Sequence, residues 1–255
     1  MIGRFNTDTE ALKSRAQINA GKAKHDLEEW MIPLLPPLRS LQVLDLGCGT
    51  GKQIFRFAPL VAGEGWILGV DVSKNAVCAV NERARAEELR WVEAAQMPLD
   101  DCVQRLAGRH FDLIVSSYAI YYSKDIVALL KGVRSLLTDR GTVFVCGPGK
   151  HTNREILDIV NRFIPDSSEK LEPIDDFLGP AEIRDIARSY SKSIVSRLEN
   201  KILFGSPDGV LSWWNHHNSF VPSVAAGVQE YVNAYFENNE TFSLTKNVLG
   251  VRFDV

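Results

Sequence analysis

The stretch LQVLDLGCGTGKQ, residues 41 to 53, constrains this chain more than any other. A short apolar run ends in Asp45 and opens into Gly47, Gly49 and Gly51, spaced one residue apart. A turn of that composition between a strand and a helix lets backbone approach a ligand closely, because no Cβ intervenes. The helix behind it offers N–H groups without intrahelical partners. A second strand, WILGV, ends at Asp71, 20 residues beyond Gly51. That is near the spacing at which an acid closes the second strand of a nucleotide-binding βαβ unit and accepts the ribose hydroxyls. A carboxylate has the two free oxygens that this job requires. Glycines and an acid that merely shape turns are the alternative, and the pairing of loop with acid favours ligand binding over it.

From Leu41 onward, short apolar runs alternate with longer helical patterns. The candidate strands are Gln42–Leu46, Trp66–Val70, Leu89–Val92, Phe111–Ser116 and Thr142–Cys146. Between them lie helical patterns at Ala76–Ala86 and Ile126–Leu137, with Gly141 as a stop signal after the second. This order predicts an α/β fold: a Rossmann-like, doubly wound, mostly parallel seven-stranded sheet with helices on both faces. Strands that are nearly continuous apolar runs suit a sheet covered on both sides. Ile194–Phe204 and Phe242–Phe253 read as late strands, the last one antiparallel, with Gly250 marking a bulge or bend. The whole chain, 1–255, reads as a single domain. Residues 1–38 form a helical cap, 39–150 the ligand-binding core, 151–204 its C-terminal half, 205–239 a helical lid insert and 240–255 the last strand.

Composition excludes several classes. About 45% of the 255 residues are hydrophobic, sufficient for a core without covalent staples. The formal net charge of -3, with both signs mixed, argues against nucleic acid as the partner. Cys48, Cys78, Cys102 and Cys146 are far apart, so no structural metal is expected and a reducing, cytoplasmic setting fits best. No window reaches the roughly 18 apolar residues of a membrane span.

The glycine spacing is GxGxG, with Lys52 following Gly51, and lacks the third glycine of dinucleotide dehydrogenases. Here the sequence resembles the class I S-adenosylmethionine-dependent methyltransferases, whose first motif is similar to VLDLGCGTG. The resemblance continues through GVDVS (69–73), VEAAQMPL (92–99), FDLIVSSYAIYY (111–122) and LLTDRGTVFV (136–145). It implies S-adenosyl-L-methionine as cofactor and S-adenosyl-L-homocysteine as product. It also implies that Gly47, Cys48 and Gly49 pass under the methionine part, with Asp45 near its ammonium. Asp71 would hold the ribose and Val72 lie against the adenine. Glu93, standing where the family usually has aspartate, would accept from the adenine amino group while Ala94 N–H donates to the ring. Ser116 would close the floor. From the N-terminal stretch, Arg4 or Arg15 is placed to meet the cofactor carboxylate in a charge-assisted pair.

Methyl transfer from a sulfonium is an in-line displacement, helped mainly by holding the nucleophile about 3 Å from the methyl carbon. A base is needed only where the acceptor loses a proton, as a hydroxyl must. The fourth-strand motif reads SSYA, unlike the D/N-P-P-Y/F sequence of enzymes that methylate amino groups of nucleic-acid bases, and no Pro-Cys dipeptide occurs. The expected acceptor is therefore a small molecule, methylated at oxygen: a sugar, an acid or a secondary metabolite. Tyr118, Tyr121 and Tyr122 follow the fourth strand and His151 the fifth, at the sheet edge where open α/β folds bind ligands. In the lid, SWWNHHNSFVP (212–222) offers Trp214 as an acceptor contact. His216 and His217 are the candidate bases, since histidine titrates near neutrality, and Tyr121 is a third catalytic candidate. Neighbouring histidines on a helix point about 100° apart, which makes the pair a poor metal site. The rival readings are a non-catalytic S-adenosylmethionine-binding sensor or scaffold, a protein methyltransferase, and a nicotinamide-dependent dehydrogenase.

Overall fold

The computed structural model describes residues 24–255. Seven strands form one sheet in the order β3-β2-β1-β4-β5-β7-β6. They are β1 (Gln42–Leu46), β2 (Trp66–Asp71), β3 (Val92–Gln96), β4 (Phe111–Ser117), β5 (Leu137–Pro148), β6 (Lys192–Phe204) and β7 (Phe242–Asp254). β1 pairs in parallel with β2 and β4, β2 with β3, and β4 with β5. β7 runs against β5: Val255 N–H donates to Gly141 O and Gly149 N–H to Asn247 O, so residue numbers rise on one strand as they fall on the other. The doubly wound, mostly parallel sheet with an antiparallel last strand is thus the observed architecture. Among the described residues no helix is long and apolar enough to cross a membrane.

The chain divides into two compact units. The core unit comprises Leu27–Gly147, Phe177–Ser196 and Leu249–Val255. Its helices include α1 (Leu27–Met31), α2 (Lys52–Val61), α3 (Lys74–Ala86), α4 (Cys102–Arg105) and α5 (Ile126–Gly132). β1 and β4 are buried over nearly their whole length, and Leu44, Leu46, Leu68, Ile114, Val143 and Val145 belong to one core. The other unit holds Pro148–Asp176, Arg197–Val248 and, of the described residues before them, 24–26, with helices α6 (Arg154–Phe163), α8 (Pro207–Asn215) and α9 (Ala225–Glu237). It has its own core, in which Ile156, Val160, Phe204, Trp213, Trp214 and Val228 meet. The remaining helix, α7 (Pro180–Ala187), lies within the core unit.

Several boundaries differ from the sequence reading, some of them for a clear local reason. β3 begins at Val92 rather than Leu89, because the residues before it close α3. Glu88 adopts φ 55° and Leu89 N–H returns to Ala84 O at 2.8 Å, the arrangement of a left-handed helix stop. The 126–137 helix ends at Gly132 and tightens into a 3-10 turn over Val133–Leu136. Leu137 already pairs with Phe111, and the register shifts before Thr142 meets Leu113. Gly141 therefore lies inside β5, where a Cβ would meet Leu137 Cβ at 2.8 Å. Gly250 makes room within β7: a Cβ there would come within 2.7 Å of the Trp30 ring and 3.0 Å of Phe144. Those two rings pack edge to face at 6.2 Å.

Overpacking a filled core costs about 1–3 kcal/mol. Gly250→Val is expected to lower stability by that amount, read as a reduced denaturant midpoint with unchanged slope. An unaltered midpoint would show that the Trp30–Phe144 pair yields freely.

Candidate functional site

The glycine loop joins β1 to α2 through three left-handed glycines, Gly47 (φ +77°), Gly49 (φ +52°) and Gly51 (φ +83°). A side chain at Gly47 would collide with Ala119 Cβ at 2.2 Å, whereas a Cβ at Gly49 would meet nothing within 4 Å. Gly47 is thus glycine for packing and conformation, and Gly49 faces open space, a cradle suited to a ligand. Gly47 N–H and Cys48 N–H both donate to Val70 O, at 2.8 and 3.0 Å. Asp71 completes the clamp: one oxygen accepts Gly49 N–H and the other Ser73 N–H, each at 2.8 Å. Ser73 then caps α3 by accepting Ala76 N–H. Each Asp71 oxygen retains a second lone pair, so the acid that orders the loop still has acceptor capacity for ribose hydroxyls.

Beneath the loop Asp45 is 3% exposed, and its Oδ2 has no hydrogen-bond partner. Burial, and secondarily the charge of Asp71, push its pKa up to about 8. The Cys48 thiol is driven far above its ordinary value by burial, then by Asp45 and Asp71, so it is an inert neutral group in the loop. Asp45 is therefore a neutral carboxyl group at neutral pH, with the Asp71 charge within electrostatic reach. Val72, at the end of β2, is 57% exposed and offers an apolar surface beside Asp71. Ser116 is fully buried and donates to Leu46 O at 2.7 Å, which locks β4 to β1 below the site.

On the β3 side the structure differs from the expectation for Ala94. As an edge strand, β3 turns backbone groups outward, and Asn81 of α3 takes both those of Ala94: its Oδ1 accepts Ala94 N–H and its Nδ2 donates to Ala94 O, each at 2.8 Å. Ala94 therefore has no donor left for an adenine ring. Glu93 is exposed and lies opposite Leu68 in the ladder, while Gln96 lies opposite Asp71. Gln96 Nε2 donates to Val72 O at 3.0 Å. Sequence reasoning passed over Asn81 and Gln96, because neither residue type signals a backbone clamp. Arg4 and Arg15 lie outside the described residues.

After β4, Tyr118 takes the left-handed conformation at φ 55°, held by its N–H to Cys146 O at 2.8 Å. Left-handed backbone in a bulky residue is strained and tends to occur at functional positions. Tyr121 packs against Tyr122 at 4.8 Å and Phe177 at 6.1 Å between ring centroids. Burial, then the neighbouring Tyr122, raises the Tyr121 phenol well above its ordinary value. It stays protonated at neutral pH, able to donate a hydrogen bond and unable to act as a base. Tyr122 is exposed.

The remaining candidates belong to the second unit. Trp214 is 1% exposed, with its indole N–H donating to Ser219 O at 3.1 Å, so its ring packs that unit's core instead of presenting a contact surface. His151 is exposed, at φ 64°, and its N–H donates to Ile174 O. His217 stacks on Trp213 at 4.5 Å. Ser219 N–H donates to its Nδ1 at 3.2 Å, which leaves the ring proton on Nε2. The Asn153 carboxamide lies 3.2 Å from Nε2, and its oxygen satisfies that proton when turned towards it. His216 differs: Nδ1 lies 2.7 Å from Ser212 O. A carbonyl only accepts, so Nδ1 carries the proton and the basic lone pair is on Nε2.

A family profile described as "Methyltransferase domain" matches residues 38–189, more than half of the chain. Among curated proteins, aklanonic acid methyltransferase DauC from Streptomyces sp. (strain C5) is 26% identical over 118 residues, 46% of this chain and 53% of that protein. The 2-phytyl-1,4-naphtoquinone methyltransferase of Nostoc punctiforme is 32% identical over 100 residues, 37% of this chain and 40% of that protein. The chain thus spans about half or less of the length of these relatives. Phosphoethanolamine N-methyltransferase 2 of Haemonchus contortus, solved with phosphomonomethylethanolamine and S-adenosylhomocysteine, shares the fold. Its TM-score is 0.59 at 15% identity, covering 98% of this chain and 58% of that one.

The Asp45 pKa has a consequence for stability. The folded protein holds this proton to about pH 8, whereas the unfolded chain releases it near 3.8. Between those values the folded state binds more protons, so stability falls as pH rises through the window. Melting temperatures at pH 5 and pH 8.5 should therefore drop more for the native sequence than for Asp45→Asn. Identical drops would show that Asp45 ionises normally.

Proposed function

The chain belongs to the methyltransferase domain family, and from that premise we propose that it moves the methyl group of S-adenosylmethionine to the oxygen of a small molecule, a sugar, an acid or a secondary metabolite. The observation that carries the cofactor reading is the unpartnered, buried carboxylate of Asp45 under the open glycine cradle. Asp71, with Asp45 able to give up its proton as a cation arrives, favours an ammonium or sulfonium over a pyrophosphate, which weighs against a dinucleotide in the same loop. When bound, S-adenosylmethionine supplies an electrophilic methyl group on a cationic sulfur. The chain's part is to hold and orient. Asp45 would take the ammonium, Asp71 the ribose hydroxyls, and Val72 with Glu93 and Gln96 the adenine side, without the Ala94 N–H, which Asn81 engages. The small-molecule acceptor is supported by relatives whose names specify aklanonic acid and a naphthoquinone as what they methylate.

For an oxygen acceptor the base is His216, whose Nε2 carries the lone pair. His217, held at both ring nitrogens, orders the α8 terminus, and Tyr121 serves as a neutral donor. Tyr118 and Tyr122 are proposed acceptor contacts.

Calorimetric titration with S-adenosylmethionine, S-adenosylhomocysteine and NAD tests the cofactor. Dissociation constants in the micromolar range are expected for the first two, and binding of NAD alone would overturn the reading. Asp71→Ala should weaken S-adenosylhomocysteine binding by about 1–3 kcal/mol, the cost of losing charge-assisted hydrogen bonds, and unchanged affinity would remove Asp71 from the ribose site. His216→Ala should lower turnover on a hydroxyl acceptor by about 10²-fold or more at unaltered cofactor affinity. Full turnover in that variant would rule His216 out as the base.

A further inference from the structure

The turn that follows β4 engages its polar groups within the protein. Ser117 donates to Gln53 Oε1, and Ser123 donates to Asp100 at 2.6 Å. Tyr118 N–H goes to Cys146 O, Tyr122 N–H to Ala119 O and Ser123 N–H to Ile120 O, while Lys124 N–H reaches Asp100 at 3.2 Å. What the segment offers at the C-terminal edge of the sheet is ring surface. Tyr118 and Tyr122 are exposed, and Tyr121 is half-buried. Single exposed rings are ordinary on a protein surface, whereas several side by side at a ligand-binding edge mark a contact site.

A residue that the sequence reading passed over completes the cluster. Phe177, half-buried, meets Tyr121 at 6.1 Å between centroids with the rings inclined by 62°, and Tyr121 meets Tyr122 at 4.8 Å and 60°. Gly147, near the end of β5, makes room for this meeting: a Cβ there would come within 2.9 Å of the Phe177 ring and 3.1 Å of the Tyr121 ring. An edge-to-face contact covers at most one face of a ring, so the cluster retains faces for a further ring. Leu178, fully buried in the core, anchors the segment that presents Phe177. The turn itself abuts the glycine loop, since Ala119 Cβ fills the space that a side chain at Gly47 would take. All of these residues lie in the core unit, so the rings and the cradle belong to one compact body.

We propose that Tyr121, Tyr122 and Phe177 receive a planar aromatic ring, so that the methyl acceptor is a hydroxylated aromatic compound. This rests on the methyl-transfer reading above and narrows it. A sugar or an aliphatic acid presents hydrogen-bonding groups on several sides, which this turn, with its serines and amides engaged, does not match. A desolvated hydroxyl without a partner is costly, whereas a flat ring with one hydroxyl needs stacking surface and a single polar contact. Phe177 sets the preference, because it brings to the tyrosines a ring from a separate segment of the chain.

The test is calorimetric titration of the full chain, saturated with S-adenosylhomocysteine, with three probes. They are 1-naphthol, decahydro-1-naphthol, which has the same carbon skeleton without a flat ring, and methyl α-glucopyranoside. The native sequence should bind 1-naphthol about tenfold more tightly than its saturated counterpart, as two aromatic contacts imply. Phe177→Leu keeps an apolar side chain and removes the ring; it should lose about fivefold on 1-naphthol and change by less than about twofold on decahydro-1-naphthol. Equal affinity of the native sequence for the two bicyclic alcohols, tighter binding of the glucoside, or an equal loss on both alcohols in Phe177→Leu would overturn the proposal. If Phe177→Leu does not fold, Tyr122→Leu, at an exposed position, takes its place with the same expected loss, and an undiminished preference for 1-naphthol would be equally fatal. Failure of the native sequence to bind S-adenosylhomocysteine sinks the cofactor reading itself, an outcome distinct from a chain that binds it and ignores flat rings.

Discussion

The Asp71 carboxylate is the interaction on which the rest of the site depends. Its two oxygens accept N–H groups from Gly49 and Ser73, so one side chain at the end of β2 fixes both the loop that opens α2 and the turn that opens α3. The Val70 carbonyl, one residue earlier, receives Gly47 N–H and Cys48 N–H. With three of those bonds the loop is held in a conformation that only glycine adopts without strain at positions 47, 49 and 51. Backbone is thereby exposed at the C-terminal edge of a parallel sheet, where the strands alone would end in unordered chain.

Holding the loop this way concentrates negative charge. Asp45 is buried beneath it, and its ionised form is favoured only when a cation arrives, since burial and Asp71 both oppose its ionisation. The free protein therefore carries an unfavourable feature that a cationic ligand relieves, an instance of strain kept at a functional site and offset elsewhere. Gln53, Ser117 and Cys146 form a second buried relay, which leaves the Gln53 amide nitrogen without a hydrogen-bond partner. Polar groups left incomplete in an otherwise satisfied interior mark where a partner completes them.

The second unit is organised differently. Its aromatic residues serve packing first: Trp213 carries His217 on one face, with Lys246 4.8 Å from the ring, and Trp214 is fully enclosed. Adjacent histidines reach opposite states through their neighbours. His217 is complemented at both nitrogens, whereas His216 is set by the Ser212 carbonyl in the tautomer a proton acceptor requires. Nothing in the dipeptide itself distinguishes the two.

What the sequence determined by itself was the periodic and the covalent. Apolar runs of strand length alternating with helical patterns require a sheet wound on both faces, and the glycines with Asp45 and Asp71 locate its binding edge, because backbone freedom and carboxylate chemistry are properties of residue type. Tertiary structure decided whatever depends on which atoms are already engaged. The Ala94 N–H is lost to Asn81, Trp214 to the core and Tyr121 to a neutral phenol, while Gln53, an unremarked residue of a helix start, is left holding an unsatisfied donor. Hydrogen-bond capacity is shared across segments far apart in the chain, so its remainder becomes visible only once all the partners are in place.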